Sequence, residues 1–171
     1  MIDAYASRMG MVLNAVPENI GAASTAELGL QTLDPTRVGF TQSSVSFGKA
    51  GASYNLDTLV KSMSTDGWVG KPIDVVAMPD GTLASIDNTR VLAARRAGID
   101  VEANVRGFDE AITDPVRQLS LTEKGVVPDT WGEAARLRIN KPIQNTTYPG
   151  MNPGWSVRFP YGSIYDPVVK Y

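Results

Sequence analysis

The chain has 171 residues, of which 43% are hydrophobic and 20% charged. These values exclude wholesale disorder and fibrous repeats, and they leave room for one ordinary domain with a real core. A formal net charge of −2, with no cysteine and no histidine, excludes disulfides, thiolate zinc sites, cysteine nucleophiles and histidine acid–base chemistry. Any catalysis must then rest on Asp, Glu, Lys, Arg, Tyr, Ser or Thr.

At the amino end, Ile2, Tyr5, Met9, Val12, Leu13 and Val16 recur at helical spacing, which predicts a helix to about Ala15, stopped by Pro17. Small residues dominate from Gly21 to Gly29. The division expected is a helix and linker over 1–33 and a domain over 34–171. No basic region followed by an apolar stretch opens the chain, so no secretory signal is expected. No apolar run approaches the roughly 20 residues of a membrane span.

Within the domain, Leu56, Leu59, Val60 and Met63 share a helical face between Asn55 as N-cap and Gly67, predicting a helix over about 55–66. The run Ile73-Asp74-Val75-Val76, the turn Pro79-Asp80-Gly81 and Leu83-Ala84-Ser85-Ile86 read as a β-hairpin. Asp87 then caps a helix over about 88–97, closed by Gly98. Val101 to Val105 returns as a strand. Asp114-Pro115 opens a helix through about Lys124. Thr130 and Glu133 form a T-x-x-E capping box for a helix over about 130–140. The last thirty residues read mostly as loop. The fold class expected is α+β, a small mixed β-sheet with flanking helices.

The junction Ser85-Ile86-Asp87-Asn88-Thr89-Arg90, where a strand runs directly into a helix, is the leading candidate site. Unpaired N–H groups and the positive dipole end favour an anion, and Arg90 adds a fork for phosphate oxygens. Asp87 competes for those N–H groups unless it binds a metal or acts as a base. The structural alternative is that Asp87 only caps and Arg90 is solvated. Arg95 extends the basic surface or complements the helix dipole. Glu133 is a candidate base or simply the capping-box acid. From Ala134 onward five basic side chains, among them Arg138, Lys141 and Arg158, face one acidic residue, Asp166. Seven of the 13 aromatics lie in residues 131–171. They suit base stacking beside a charged backbone, or loop anchoring by packing. No P-loop or Rossmann glycine motif is present.

Read together, residues 55–105 with the order helix, Trp68-Val69-Gly70-Lys71-Pro72-Ile73, turn, Ser85-Ile86-Asp87-Asn88-Thr89-Arg90-Val91, Gly98-Ile99-Asp100-Val101 resemble the ParB/sulfiredoxin-like superfamily. Within it they look most like the ParB-like nuclease domain at the C-termini of bacterial polymorphic toxins. Asp34-Pro35, Phe40 to Ser46, Thr130 to Ala134 and Arg138 to Lys141 also resemble that module. ParB proteins carry G-x-x-R at this junction, and Asp87-Asn88-Thr89-Arg90 aligns with it, with Asp87 replacing the glycine and Val91 a second arginine. A CTP-driven clamp is therefore not expected, and sulfiredoxin chemistry is excluded by the missing cysteine.

The resemblance implies a toxin domain acting on DNA or RNA, opposed by a cognate immunity protein and delivered as the C-terminal part of a larger secreted protein to act in the target cytoplasm. A monomer is expected. In that reading Arg90 with Arg138 or Lys141 holds the scissile phosphate, Arg95 and Arg158 extend the binding surface, and Asp87 binds a divalent ion (Mg or Mn) or acts as base. Asn88 helps orient it, and Glu133 is a further candidate. The alternatives are an enzyme acting on a nucleoside triphosphate or dinucleotide, and a binding module with no catalysis.

Overall fold

A computed structural model of the chain describes residues 26–48, 53–140 and 161–171. The first predicted helix, Lys141 and Arg158 lie outside them. The architecture is α+β, as expected: a five-stranded mixed sheet with helices on both faces, and a second sheet of two short strands. The larger sheet has the order β1 (Gly29–Leu33), β6 (Val101–Gly107), β4 (Ile73–Ala77), β5 (Leu83–Ser85), β2 (Val38–Phe40). The β1–β6 and β4–β5 pairs are antiparallel, and β4–β6 and β5–β2 are parallel. No described helix is long and apolar enough to cross a membrane.

Both faces of the central hairpin are buried because its residues alternate between two cores. Ile73 and Val75 join one core with Leu56 and Met63 of α1 (Leu56–Asp66) and Val91 and Leu92 of α2 (Asn88–Ala97). Val76, Met78, Ala84 and Ile86 join the other with Leu121 and with Trp131, Ala134, Ala135 and Ile139 of α4 (Trp131–Ile139). Each fully buried aliphatic side chain, such as Leu92 or Val75, contributes roughly 1.5–3 kcal/mol. Alternation of period two on a strand covered on both sides explains why the sequence shows a continuous apolar run here.

Two expectations are corrected. All of β1 lies within the expected linker of 1–33, and its residues 29–33 pair with Val101–Val105 of β6, so the sheet starts before residue 34. The helix opened by Pro115 stops at Ser120 (α3, Pro115–Ser120). Beyond it a tight turn, Glu123 to Val126, places Lys124 at φ +51° and Gly125 at φ +80°, the pair of positive φ values that a type I′ turn requires. Of the segment expected to be mostly loop, residues 161–171 are described, and they carry one short strand, β7 (Val168–Lys170), parallel to β3 (Ser44–Ser46). Phe47 stacks on Tyr171 beside it, with ring centroids 4.9 Å apart.

Candidate functional site

Where the β5–α2 junction meets β3, the start of α1 and the end of α4, the chain leaves a cleft of about 1100 Å³. Its floor is set by caps. Asp87 accepts the Arg90 N–H at 3.2 Å and donates its own N–H to Ser85 Oγ at 2.9 Å. Across from it, Asn55 and Thr58 exchange side-chain and backbone hydrogen bonds in a capping box that starts α1.

Asn88 has a different task from the one expected. It is 4% exposed, its Oδ1 accepts the Thr41 N–H at 2.9 Å, and its amide donates to Thr41 Oγ1 at 3.1 Å and Gln42 Oε1 at 3.3 Å. Thr41 Oγ1 donates in turn to the Ser85 carbonyl at 2.8 Å. Asn88 therefore ties the β2–β3 connection, which forms one wall of the cleft, to the start of α2; it does not orient Asp87.

Six cationic side chains line the cleft: Lys71, Arg90, Arg117, Lys124, Arg138 and Lys170. Asp87 is the single carboxylate among its described lining residues. Arg90 is held in place: its guanidinium lies 4.3 Å over the Trp68 ring and donates to the Val69 carbonyl at 2.5 Å. The close approach depends on Gly70, where a Cβ would sit 3.3 Å from Arg90 Nη2 and where φ is +88°. Burial pulls Arg90 below the ordinary arginine range, against the opposing charge of Asp87.

Burial likewise lowers Arg138, which Glu123 and Asp87 oppose and Arg117 reinforces. Among the described residues its buried Nε has no hydrogen-bond partner. Two partly desolvated arginines thus act on one carboxylate at the start of α2, the arrangement a phosphate anion would complete. Arg117 also reaches the cleft but is tethered, donating to Asp74 Oδ2 from Nη2 at 2.8 Å and from Nε at 3.1 Å. Arg106 takes the other Asp74 oxygen at 3.1 Å, and both guanidiniums stack over Trp131.

The other predicted residues fall elsewhere. Arg95, whose side chain is 12% exposed, donates to the carbonyls of Pro35, Val38 and Ile164 and to Asp166 Oδ1 at 2.6–3.0 Å, and it covers the Phe40 ring. It clamps the C-terminal segment onto β2 and does not line the cleft. Glu133 opens α4 at the end opposite Arg138, its Oε2 accepting the Asp129 and Thr130 N–H groups, and it does not line the cleft. Among the described residues its hydrogen bonds are those of the capping box. Lys141 and Arg158 lie outside the described residues.

The expected divalent ion does not fit either. Among the described residues no three acidic side chains gather to hold one, and Asp87 stands alone among cations with an oxygen committed to Arg90 N–H. Six positive neighbours oppose a divalent cation at this single carboxylate.

The sequence alone did not place Lys71, Arg117 and Lys124 at the site, and Lys170 entered only as one of the five basic residues of the carboxyl end; Gly125, a turn signal beside Lys124, could have marked that one loop.

No protein-family model matches the chain, and no curated protein matches it. Among solved structures it is similar to the crystal structure of sulfiredoxin from Arabidopsis thaliana, at 19% identity and a TM-score of 0.32, over 46% of this chain and 84% of that one. At this identity and score the likeness assigns neither family, activity nor ligand here.

Proposed function

We propose that the chain is a phosphodiester-cleaving domain directed at nucleic acid, of the kind carried by bacterial toxins. The observation that carries this reading is the cleft's charge: six cations and one carboxylate in a chain whose net charge is −2. A fold with no overall excess of positive charge has concentrated it in one concavity, where it focuses the field on an anion.

In this reading Arg90 and Arg138 neutralise the scissile phosphate beside the free N–H groups of α2. Asp87 accepts a proton from the attacking water. The new P–O bond forms as the opposite P–O bond breaks, and the departing oxygen is protonated from solvent. Lys71, Lys124 and Lys170 hold flanking phosphates. No step runs through a metal, so cleavage persists in EDTA.

The toxin role, delivery as part of a larger protein, action in a bacterial cytoplasm and neutralisation by an immunity protein belong to the same proposal. Inducing the chain in a bacterium tests it together with in vitro cleavage of DNA and RNA. Growth arrest with degraded plasmid or RNA, abolished by Arg90→Ala, is the expected result. Arrest with every polynucleotide intact would overturn the nuclease reading. A second reading, attack on a free nucleoside phosphate, is favoured by the cleft's volume of about 1100 Å³, a size typical of small-ligand sites. Competition of nucleoside triphosphates against an oligonucleotide separates the two.

A further inference from the structure

Resting on the reading of the cleft as a nucleic-acid site, we infer that Tyr54 is the base-stacking residue of the cleft and restricts it to unpaired nucleotides. Among the described residues, Phe47 and Tyr54 line the cleft and Trp68 lies under its Arg90; of these three rings two are occupied. Phe47 stacks with Tyr171, and the Trp68 face is covered by Arg90. Tyr54 lines the cleft with 62% of its surface exposed, and among the described residues no ring or cation stacks on it.

The backbone beneath Tyr54 is fixed, so the ring is presented from a firm base. It directly precedes the Asn55 cap of α1. Asn55 bridges to Gly48, and Leu56 N–H donates to the Phe47 carbonyl at 2.7 Å. Tyr54 and Arg90 line the same cleft. An open aromatic face and a phosphate-seeking guanidinium therefore share it, the two elements a single nucleotide offers partners for: a base with a π-face and a charged phosphate. A base stacked on Tyr54 cannot also be stacked and paired in a duplex, so the strand must enter single.

The test uses the full chain and three fluorescent probes of equal length: a single strand, the same strand annealed to its complement, and the same strand with the bases removed. Binding is read by anisotropy at fixed salt. The unaltered chain is expected to prefer the single strand to both other probes. Tyr54→Ala should weaken single-strand binding by about ten- to a hundredfold, in line with one lost base stack, and leave the abasic strand unchanged. Tyr54→Phe should keep the affinity, because the ring and not the hydroxyl is required. Equal loss on intact and abasic strands, or equal affinity for duplex and single strand, would overturn the role of Tyr54 while the cleft remained a phosphate site. Absence of binding to every probe by the unaltered chain would overturn the inference and the underlying reading together. Tyr54 is exposed, and an unchanged melting temperature in both variants separates these outcomes from misfolding.

Discussion

Two arginines on one helix have opposite fates, and the difference lies in what their guanidiniums touch. Arg90 is anchored on one side by Trp68 and the Val69 carbonyl and faces the cleft with donors to spare, since a guanidinium carries five. Arg95 spends its donors on three carbonyls and Asp166. Arg90→Ala should therefore cost only about 1–2 kcal/mol of stability, from one stack and one hydrogen bond, while lowering oligonucleotide affinity at least about tenfold. Arg90→Lys should not restore binding, because a single ammonium cannot stack on Trp68, reach Val69 and fork a phosphate together. Arg95→Ala should do the reverse: lose on the order of 2–4 kcal/mol by orphaning buried carbonyls, with phosphate affinity retained in the folded fraction. Thermal melts paired with anisotropy titrations check all three. The lowered Arg90 and Arg138 remain charged at ordinary pH. Their linkage is unfavourable below the folded pKa and relieved only as pH rises through it toward the unfolded value, far into alkali. Binding should accordingly stay flat from about pH 6 to 9, and an alkaline fall in that window would point to a lysine carrying the affinity.

Among the elements, those with local signals were legible. α1 and α4 open on reciprocal capping boxes, α2 on Asp87, and the β4–β5 hairpin on Pro79-Asp80-Gly81, each readable within a few residues. β1, β3 and β7 were not, because their pairing lies elsewhere in the chain: β1 is an exposed, glycine-led edge strand matched to β6, and β3 meets β7 across more than a hundred residues. The site divides the same way. Asp87 and Arg90 could be read from one junction, whereas Lys71, Lys124 and Lys170 reach the cleft only because the topology brings separate loops and strands together. At α4 the structure separates packing from chemistry. A Cβ on Gly132 would lie 2.6 Å from the Phe108 ring and carbonyl, so Gly132→Ala should destabilise the fold by about 1–3 kcal/mol through overpacking. Glu133→Ala should cost about 0.5–2 kcal/mol as a lost cap partner with cleavage unchanged at temperatures where the domain is folded. Loss of cleavage in a folded Glu133→Ala protein would restore that residue to the chemistry.

Taken as a whole molecule, the chain balances its charge to −2 yet turns six cations toward one concavity. Arg117 is neutralised by Asp74, which leaves five cations to meet phosphates. For a single strand, five such contacts predict a log–log dependence of affinity on salt with a slope of about −3.5. A site for one small nucleotide would give a much shallower one. The measurement that bears most directly on the account is the affinity of the full chain for a labelled single-stranded oligonucleotide over a salt series, for the unaltered protein and for Arg90→Ala, Arg138→Ala, Lys124→Ala and the surface control Arg96→Ala. The account predicts tight binding at low salt with the steep slope above. It further predicts lower affinity and a slope shallower by about 0.7 in each cleft variant, and no change in Arg96→Ala. Equal binding by all five proteins, or a slope that the cleft substitutions leave untouched, would contradict the claim that this cleft holds the phosphates of nucleic acid.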